Sequence, residues 1–323
     1  MLAVGMAAAW ARPGWAQLAA KVVRIGILID GATPETVHGR LAFLRNEFAK
    51  FGYVEGRNVA FEERGSQAAP ATLAAQAAEL VGLNCDVIVA IATGAARAAR
   101  DATTTIPIVM GSVGDPVADG LVASLAHPGG NITGTTFLGP ELISKRFGLL
   151  KELLPAASRV AVLWDPEAFS EGTTAAMVEQ ATAAAKDLNL VLHYIDVPAL
   201  DAFESAVAAA AKDRPDVVFQ FPNTTFFTNR KRLVDAIAQF RLPAIYNARE
   251  FVEVGGLLGY GASPLALNRR TVAFVDKILH GAKPADLPVE QPTIFDLAIN
   301  LPTAKSLGLT VPGSLLATAE IIE

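Results

Sequence analysis

The polar side chains best placed for chemistry gather where apolar runs end. Thr93, Gly94 and Ala95 follow the run 86–91, and Gly114 and Asp115 follow 106–110. Thr135 lies within 131–136, while Asp165, Phe169 and Ser170 follow 159–164. Asn223 and Thr224 come after 216–221, and Tyr246 closes 243–246. Hydroxyls and amides beside helix starts suit a small anion, because the first N–H groups of a helix are unpaired and carry the positive dipole end. A carboxylate fits that chemistry. Tyr246, Tyr260, Phe169 and Phe226 would supply apolar walls. A plain structural reading stands beside each. Thr93 and Gly94 suit a tight turn as well as a ligand contact. Asp115 reads as a helix cap before a ligand contact. Asp165, followed by Pro166, is open in the same way. Tyr246 is either a pocket wall or a core tyrosine with its hydroxyl at the edge. Arg249 and Glu250 read as a surface ion pair.

Signatures of catalysis are scarce. His38, His127, His193 and His280 show no metal-ligand spacing. There is no Gly-x-Ser-x-Gly elbow and no phosphate-binding Gly-x-x-x-x-Gly-Lys loop. After the first apolar run, Gly26 and Gly31 do not make the dinucleotide fingerprint. Glu62 and Glu63 look like a solvated strand end. No cofactor and no metal site is expected. Polar rims without a catalytic set point to capture rather than conversion.

The elements that must position these residues alternate. Residues 22–29 are nearly all apolar, as a parallel strand covered on both faces requires. Val37, Leu41, Leu44, Phe48 and Phe51 then recur at helical spacing. Strands are expected at 58–62, 86–91, 106–110 and 131–136, with helices at 71–83 and after Ala95. Asp115 and Pro116 read as the start of another helix, with Leu121, Val122 and Leu125 as its buried stripe and His127, Pro128, Gly129 and Gly130 ending it. The second half repeats the plan: helix 141–154, strand 159–164, a helix to 188, strand 190–197, helix 201–212, strand 216–221, a helix to 240 and strand 243–246. The end is less regular, with a strand within 255–261, helix 264–280, an extended connector at 283–288, strand 293–300 and a short helix at 302–307. Strand and helix alternating twice over predicts an α/β protein of two doubly wound, Rossmann-like lobes. In such sheets ligands bind at the carboxyl ends of the strands, which puts the polar residues on one crevice rim per lobe.

Composition narrows the classes further. A formal charge of −5 leaves no basic footprint, so nucleic acid is not an expected partner. The single cysteine, Cys85, excludes an intramolecular disulfide and reads as a packed, inert thiol. Residues 1–20 are small and apolar but too short to span a bilayer, and Arg12 interrupts them. Gly14 and Ala16 suit a signal-peptidase site, so an export leader cleaved near Ala16 and a periplasmic location are expected.

Several separate motifs resemble the tryptophan/tyrosine-type family of ABC transporter substrate-binding proteins. They are GYVEGRNV at 52–59, TTIPIV at 104–109, GDPV at 114–117 with GLVASL at 120–125, and PGGNITG at 128–134. PAIY at 243–246, EF at 250–251, GGL at 255–257, YG at 260–261, and NL at 300–301 with TAK at 303–305 continue the series. The resemblance implies a type I periplasmic-binding fold, with two lobes joined by a three-strand hinge and a cleft that closes on a ligand. It implies one lobe of 21–137 plus 252–290 and another of 138–251 plus 291–323. It also implies a monomer that delivers its ligand to a membrane permease with an ATPase. The family's cleft loops fall on Thr93, Gly94, Ala95, Gly114, Asp115, Thr135, residues 165–170, Asn223, Thr224 and Tyr246. Asn223 stands where relatives often carry an aspartate, which removes a charge for a ligand amine. An aromatic amino acid is the family's default, and a carboxylate-bearing aromatic compound or another small metabolite is equally open. Other readings are a ligand-sensing subunit for a signalling receptor, an enzyme on the same scaffold, and a sugar-repressor-like regulator. The last would need a DNA-binding helix-turn-helix before Val22.

Overall fold

The structure, a computed structural model, describes residues 22–30, 34–66, 70–137, 139, 141–197 and 202–323. The expected leader at 1–20 lies outside the described residues.

Alternation of buried apolar runs with helices builds the first lobe. Its elements are β1 (Val23–Asp30), α1 (Pro34–Lys50), β2 (Val59–Ser66), α2 (Pro70–Gly82), β3 (Val87–Ile91), α3 (Thr93–Ala102), β4 (Ile108–Val113) and β5 (Ile132–Thr136). The strands form one parallel sheet in the order β2-β1-β3-β4-β5. Every residue of β3 and β5 is buried, as strands covered on both faces must be. One face carries Leu41, Leu44 and Phe48 of α1; the other carries Leu73, Ala77 and Leu80 of α2 with Ala95, Ala96 and Ala99 of α3. Burying each Leu or Ile contributes roughly 1.5–3 kcal/mol. Cys85 is buried at the edge of this second layer, and burial pushes its thiol up to about 11.

The second lobe begins with α4 (Glu141–Leu153), β6 (Arg159–Trp164), α5 (Glu171–Asp187), β7 (Val191–Asp196), α6 (Phe203–Lys212) and β8 (Val217–Gln220). It continues through α7 (Thr224–Thr228), α8 (Arg230–Gln239), β9 (Ala244–Tyr246), α9 (Arg249–Glu253) and β10 (Leu258–Ala262). Then α10 (Pro264–Leu279) crosses back, and β11 (Phe295–Asn300), α11 (Leu301–Ser306), α12 (Gly313–Leu316) and β12 (Glu320–Ile322) finish the chain. The seven strands run β12-β11-β10-β9-β8-β6-β7, all parallel except the β10/β11 pair. Val272, Phe274 and Val275 of α10 pack into the first lobe's core.

The chain passes between lobes after Phe137, after Ala262 and beyond Glu290. The three segments are bonded together: the N–H of Thr136 donates to the Glu290 carbonyl (3.1 Å), that of Glu290 to Gly134 (2.9 Å), and that of Ser263 to Ile294 (3.1 Å). Residues 258–262, expected with the first lobe, are a strand of the second sheet.

The expected helix from Pro116 does not form. The Asp115 carboxylate accepts from the N–H groups of Val117 and Ala118, both at 3.0 Å, and tightens the chain into turns. Gly120 then adopts φ +66°, which no helix continues through. Leu121 and Val122 are buried all the same, because the looping segment still lies on the core. The connector at 283–288 contains a short 3-10 turn at Pro284–Asp286.

Beside the hinge, Gly134 has φ +138°, and a Cβ there would lie 2.0 Å from the Met110 carbonyl oxygen. Gly134→Ala is expected to destabilise the protein by about 2–4 kcal/mol, read from urea unfolding. Unchanged stability would contradict this close approach of β4 and β5.

Candidate functional site

The carboxyl ends of the two sheets face each other across a cleft. Its open space is about 910 Å³, mouth included, which suits a small metabolite. The first lobe contributes Asp30 at the end of β1, Ile91, Ala92 and Thr93 after β3, and Ser112 in β4. The second contributes Leu142 and Arg146 of α4, Ala168 and Phe169, residues 222–224 with Phe227, and Asn247 with Ala248. Phe137, Tyr260, Pro264 and Leu267 line the hinge side. Four aromatic rings therefore surround the space: Phe137, Phe169, Phe227 and Tyr260. Those of Phe137 and Phe169 lie 6.1 Å apart, centroid to centroid.

Of the residues singled out in the sequence, Thr93, Phe169, Asn223, Thr224 and Tyr260 line the cleft. Most of the others serve the chain itself. Gly94 lies under Asp30, whose carboxylate oxygen is 2.1 Å from where a Gly94 Cβ would stand. That places a negative charge from the chain on the first turn of α3, a position expected to receive a ligand's carboxylate. Ala95 is buried in the core. Gly114 packs on Phe169 and Thr173 of the opposite lobe. Asp115 caps its turn. Thr135 is buried and accepts from the Ser112 N–H at 3.5 Å.

In the second lobe, Asp165 accepts from the Glu167 N–H (3.0 Å) and from the Asn223 amide (3.2 Å), and burial raises its pKa. Ser170 caps α5 by accepting from the Thr173 N–H at 3.2 Å. Asn223 caps α7 by accepting from the Phe226 N–H at 3.1 Å. Phe226 is core, not wall. Tyr246 is also core, stacked on Phe251 at 4.9 Å, with its hydroxyl pKa raised by burial. The expected Arg249–Glu250 pair is replaced by pairs from Arg249 to Glu253 and Glu320, and Glu250 turns inward, its pKa raised by burial.

The sequence reading passed over Arg146. This side chain is 1% exposed and lines the cleft. Its Nη1 donates to the Gln220 carbonyl at 3.2 Å, and its guanidinium lies 5.2 Å from the centre of the Phe219 ring. Phe219 is backed in turn by Phe147, stacked at 4.1 Å. Among the described residues no carboxylate pairs with Arg146, and its Nε has no hydrogen-bond partner. Burial draws its pKa down to about 9, which leaves it charged at neutral pH. A buried ion without a counter-ion costs several kcal/mol. The signal was present in α4: Ile143, Arg146, Leu149, Leu150 and Leu153 share one apolar stripe, and a cation there is out of place.

Backbone strain sits on the same rim. Ala92 has φ 76° and ψ 162°, a region that is nearly glycine's alone, and Ser112 has φ 55°. Such residues cost of order 1–3 kcal/mol and cluster at ligand sites. Among the described residues no group of three His, Cys, Asp or Glu side chains could hold a metal ion.

Residues 30–322 match the family model described as ABC transporter substrate binding protein. The chain belongs to that family. The tyrosine-binding protein of Clostridioides difficile (strain R20291) is 29% identical to this substrate-binding protein over 260 residues, covering 80% of this chain and 73% of that one. A crystal structure of a conserved domain protein from Vibrio cholerae superposes with a TM-score of 0.85 at 30% identity, covering 94% of this chain and all of that one. The structure of a Streptococcus pneumonia ABC domain in complex with L-Trp gives a TM-score of 0.83 at 27% identity, covering 93% and 99%. The fold is that of type I periplasmic binding proteins. Among the described residues, no helix of this substrate-binding protein is long and apolar enough to cross a membrane.

The lobes of the binding protein also touch directly. Thr173 of α5 donates its hydroxyl to Asp119 of the first lobe at 3.0 Å, and both residues are buried. Beside them, a Cβ on Gly172 would be 3.2 Å from that of Ala118. Parting the lobes would give both polar groups to water, so this bond counts only in the closed form. Thr173→Val is expected to weaken ligand binding by about 1–3 kcal/mol, roughly 5- to 150-fold, with unfolding in urea little changed. Calorimetric titration checks this; equal affinity in a folded variant would show that the contact does not hold the lobes together.

Proposed function

We propose that this chain captures a small carboxylate-bearing aromatic solute outside the cytoplasm and passes it to an ABC permease and its ATPase. The observation that carries this reading is the inter-lobe cleft, lined by Phe169 and Phe227 of the second lobe and by Phe137 and Tyr260 on the hinge side. A site closed from two directions retains its guest by surrounding it, which suits capture and release. Rings around a space of this size favour a flat apolar body. The relatives that bind tyrosine and L-Trp support the same class, whether an aromatic amino acid or a related aromatic acid. Export by a leader cleaved near Ala16 accords with work outside the cytoplasm. The chain acts as a monomer, since two lobes of one chain already enclose the site. Its charge of −5 gives no attraction for nucleic acid.

Thermal unfolding with a panel of aromatic amino acids and aromatic carboxylates tests the reading. A ligand at a hundred times its Kd stabilises the native state by about 2.7 kcal/mol, a rise in Tm of about 4 °C for a chain of this size. The bound compound is expected back unchanged after denaturation. A panel without effect, or a ligand recovered as a different product, would contradict capture.

A further inference from the structure

We propose that Arg146 is the anchor for the solute's carboxylate, and that the cleft selects acids over their uncharged derivatives. The inference rests on the reading of the cleft as a solute site and names the group that holds the guest. Three other candidates for an anion site are already served by the chain. The first turn of α3 lies beneath the Asp30 carboxylate. The start of α5 is capped by Ser170 and meets Asp119 from the other lobe. The start of α7 is capped by Asn223.

Arg146 differs in kind. It is a full charge, almost wholly buried, on the wall of the cavity. One nitrogen is tethered to the Gln220 carbonyl, and the Phe219 ring backs the guanidinium. The tether and the ring fix the plane of the fork, while no acidic side chain among the described residues claims it. A planar fork held this way offers paired N–H donors, the arrangement that a carboxylate accepts from two oxygens at once. The rings around the cleft then receive the remainder of the solute.

Gln220 acts through Arg146. It is fully buried, its carbonyl takes the guanidinium, and its side-chain oxygen accepts from the Asn247 N–H at 3.1 Å. It is a positioning residue that links α4 to the β9–α9 loop on the cleft wall.

The test is calorimetry on the full chain with L-tryptophan, L-tyrosine, indole-3-acetate and benzoate, each beside its primary amide. Wild type is expected to bind at least one acid, with its amide weaker by about 100-fold or more. In Arg146→Met that acid is expected to lose about 100-fold, while the affinity for the amide stays near its wild-type value. The ligand-free variant should melt no lower than wild type, because an unpaired buried charge has been exchanged for an apolar chain of similar length. Arg146→Lys should restore little, since an ammonium lacks the fork. A folded Arg146→Met that keeps wild-type affinity for the acid overturns the assignment and leaves the cleft a solute site. Equal binding of acid and amide by wild type overturns it without any variant. Wild type that binds no member of the panel overturns both readings.

Discussion

Parallel strands can be joined only by crossovers, and this constraint governs where the protein can work. Each strand that runs parallel to its neighbour delivers its carboxyl end to the same edge, and the next helix begins there. Two such sheets, hinged by segments bonded to one another near Thr136, Glu290 and Ser263, turn those edges face to face. The cleft follows from connectivity before any side chain in it is chosen. The lone antiparallel pair, β10 with β11, lies in the second sheet next to the crossings, where the chain leaves for α10 and returns.

That geometry supplies helix starts around the cleft, and the chain spends several of them on itself. Asp30, Ser170 and Asn223 each place an oxygen at a helix start, and Asp119 reaches the start of α5 from the opposite lobe. Caps of this kind hold the rim in shape. They also leave the positive charge facing the cavity to a side chain, Arg146, at a cost in stability that an apolar residue would not incur. The strained backbone of Ala92 and Ser112 belongs to the same trade. Stability is given up on one short stretch of rim, and large apolar layers elsewhere in both lobes offset it.

Much of the architecture was legible because burial on both faces leaves a plain mark. The runs at 22–29 and 86–91 could hardly be anything but covered strands, and the repetition of strand and helix gave two lobes. The segment after Asp115 misled because its apolar spacing is helical although its turn chemistry is not; Gly120 at positive φ decides the matter locally. The crossing after β10 was hidden because strand pairing between distant segments leaves no local signal. At the site, strand-end loops were identifiable as a class. Whether Asn223 faces a ligand and Tyr246 the core depends on tertiary packing that spacing does not encode. Arg146 was the readable residue passed over, a cation on the apolar stripe of α4. Spacing alone does not show that this cation faces the cleft, because α4 meets the cleft only through the packing of the two lobes.

Closure around a charged guest joins these features: the facing edges, the ring-lined space, the Asp119–Thr173 contact and the unpaired guanidinium. A crystal structure of the protein grown with an aromatic acid that it binds examines that claim most directly. The expected result is density for one solute between the lobes, its carboxylate within hydrogen-bonding distance of Arg146 and its ring among Phe137, Phe169, Phe227 and Tyr260. Density on an outer face, or a solute in the cleft with its carboxylate turned away from Arg146 toward water, would contradict it.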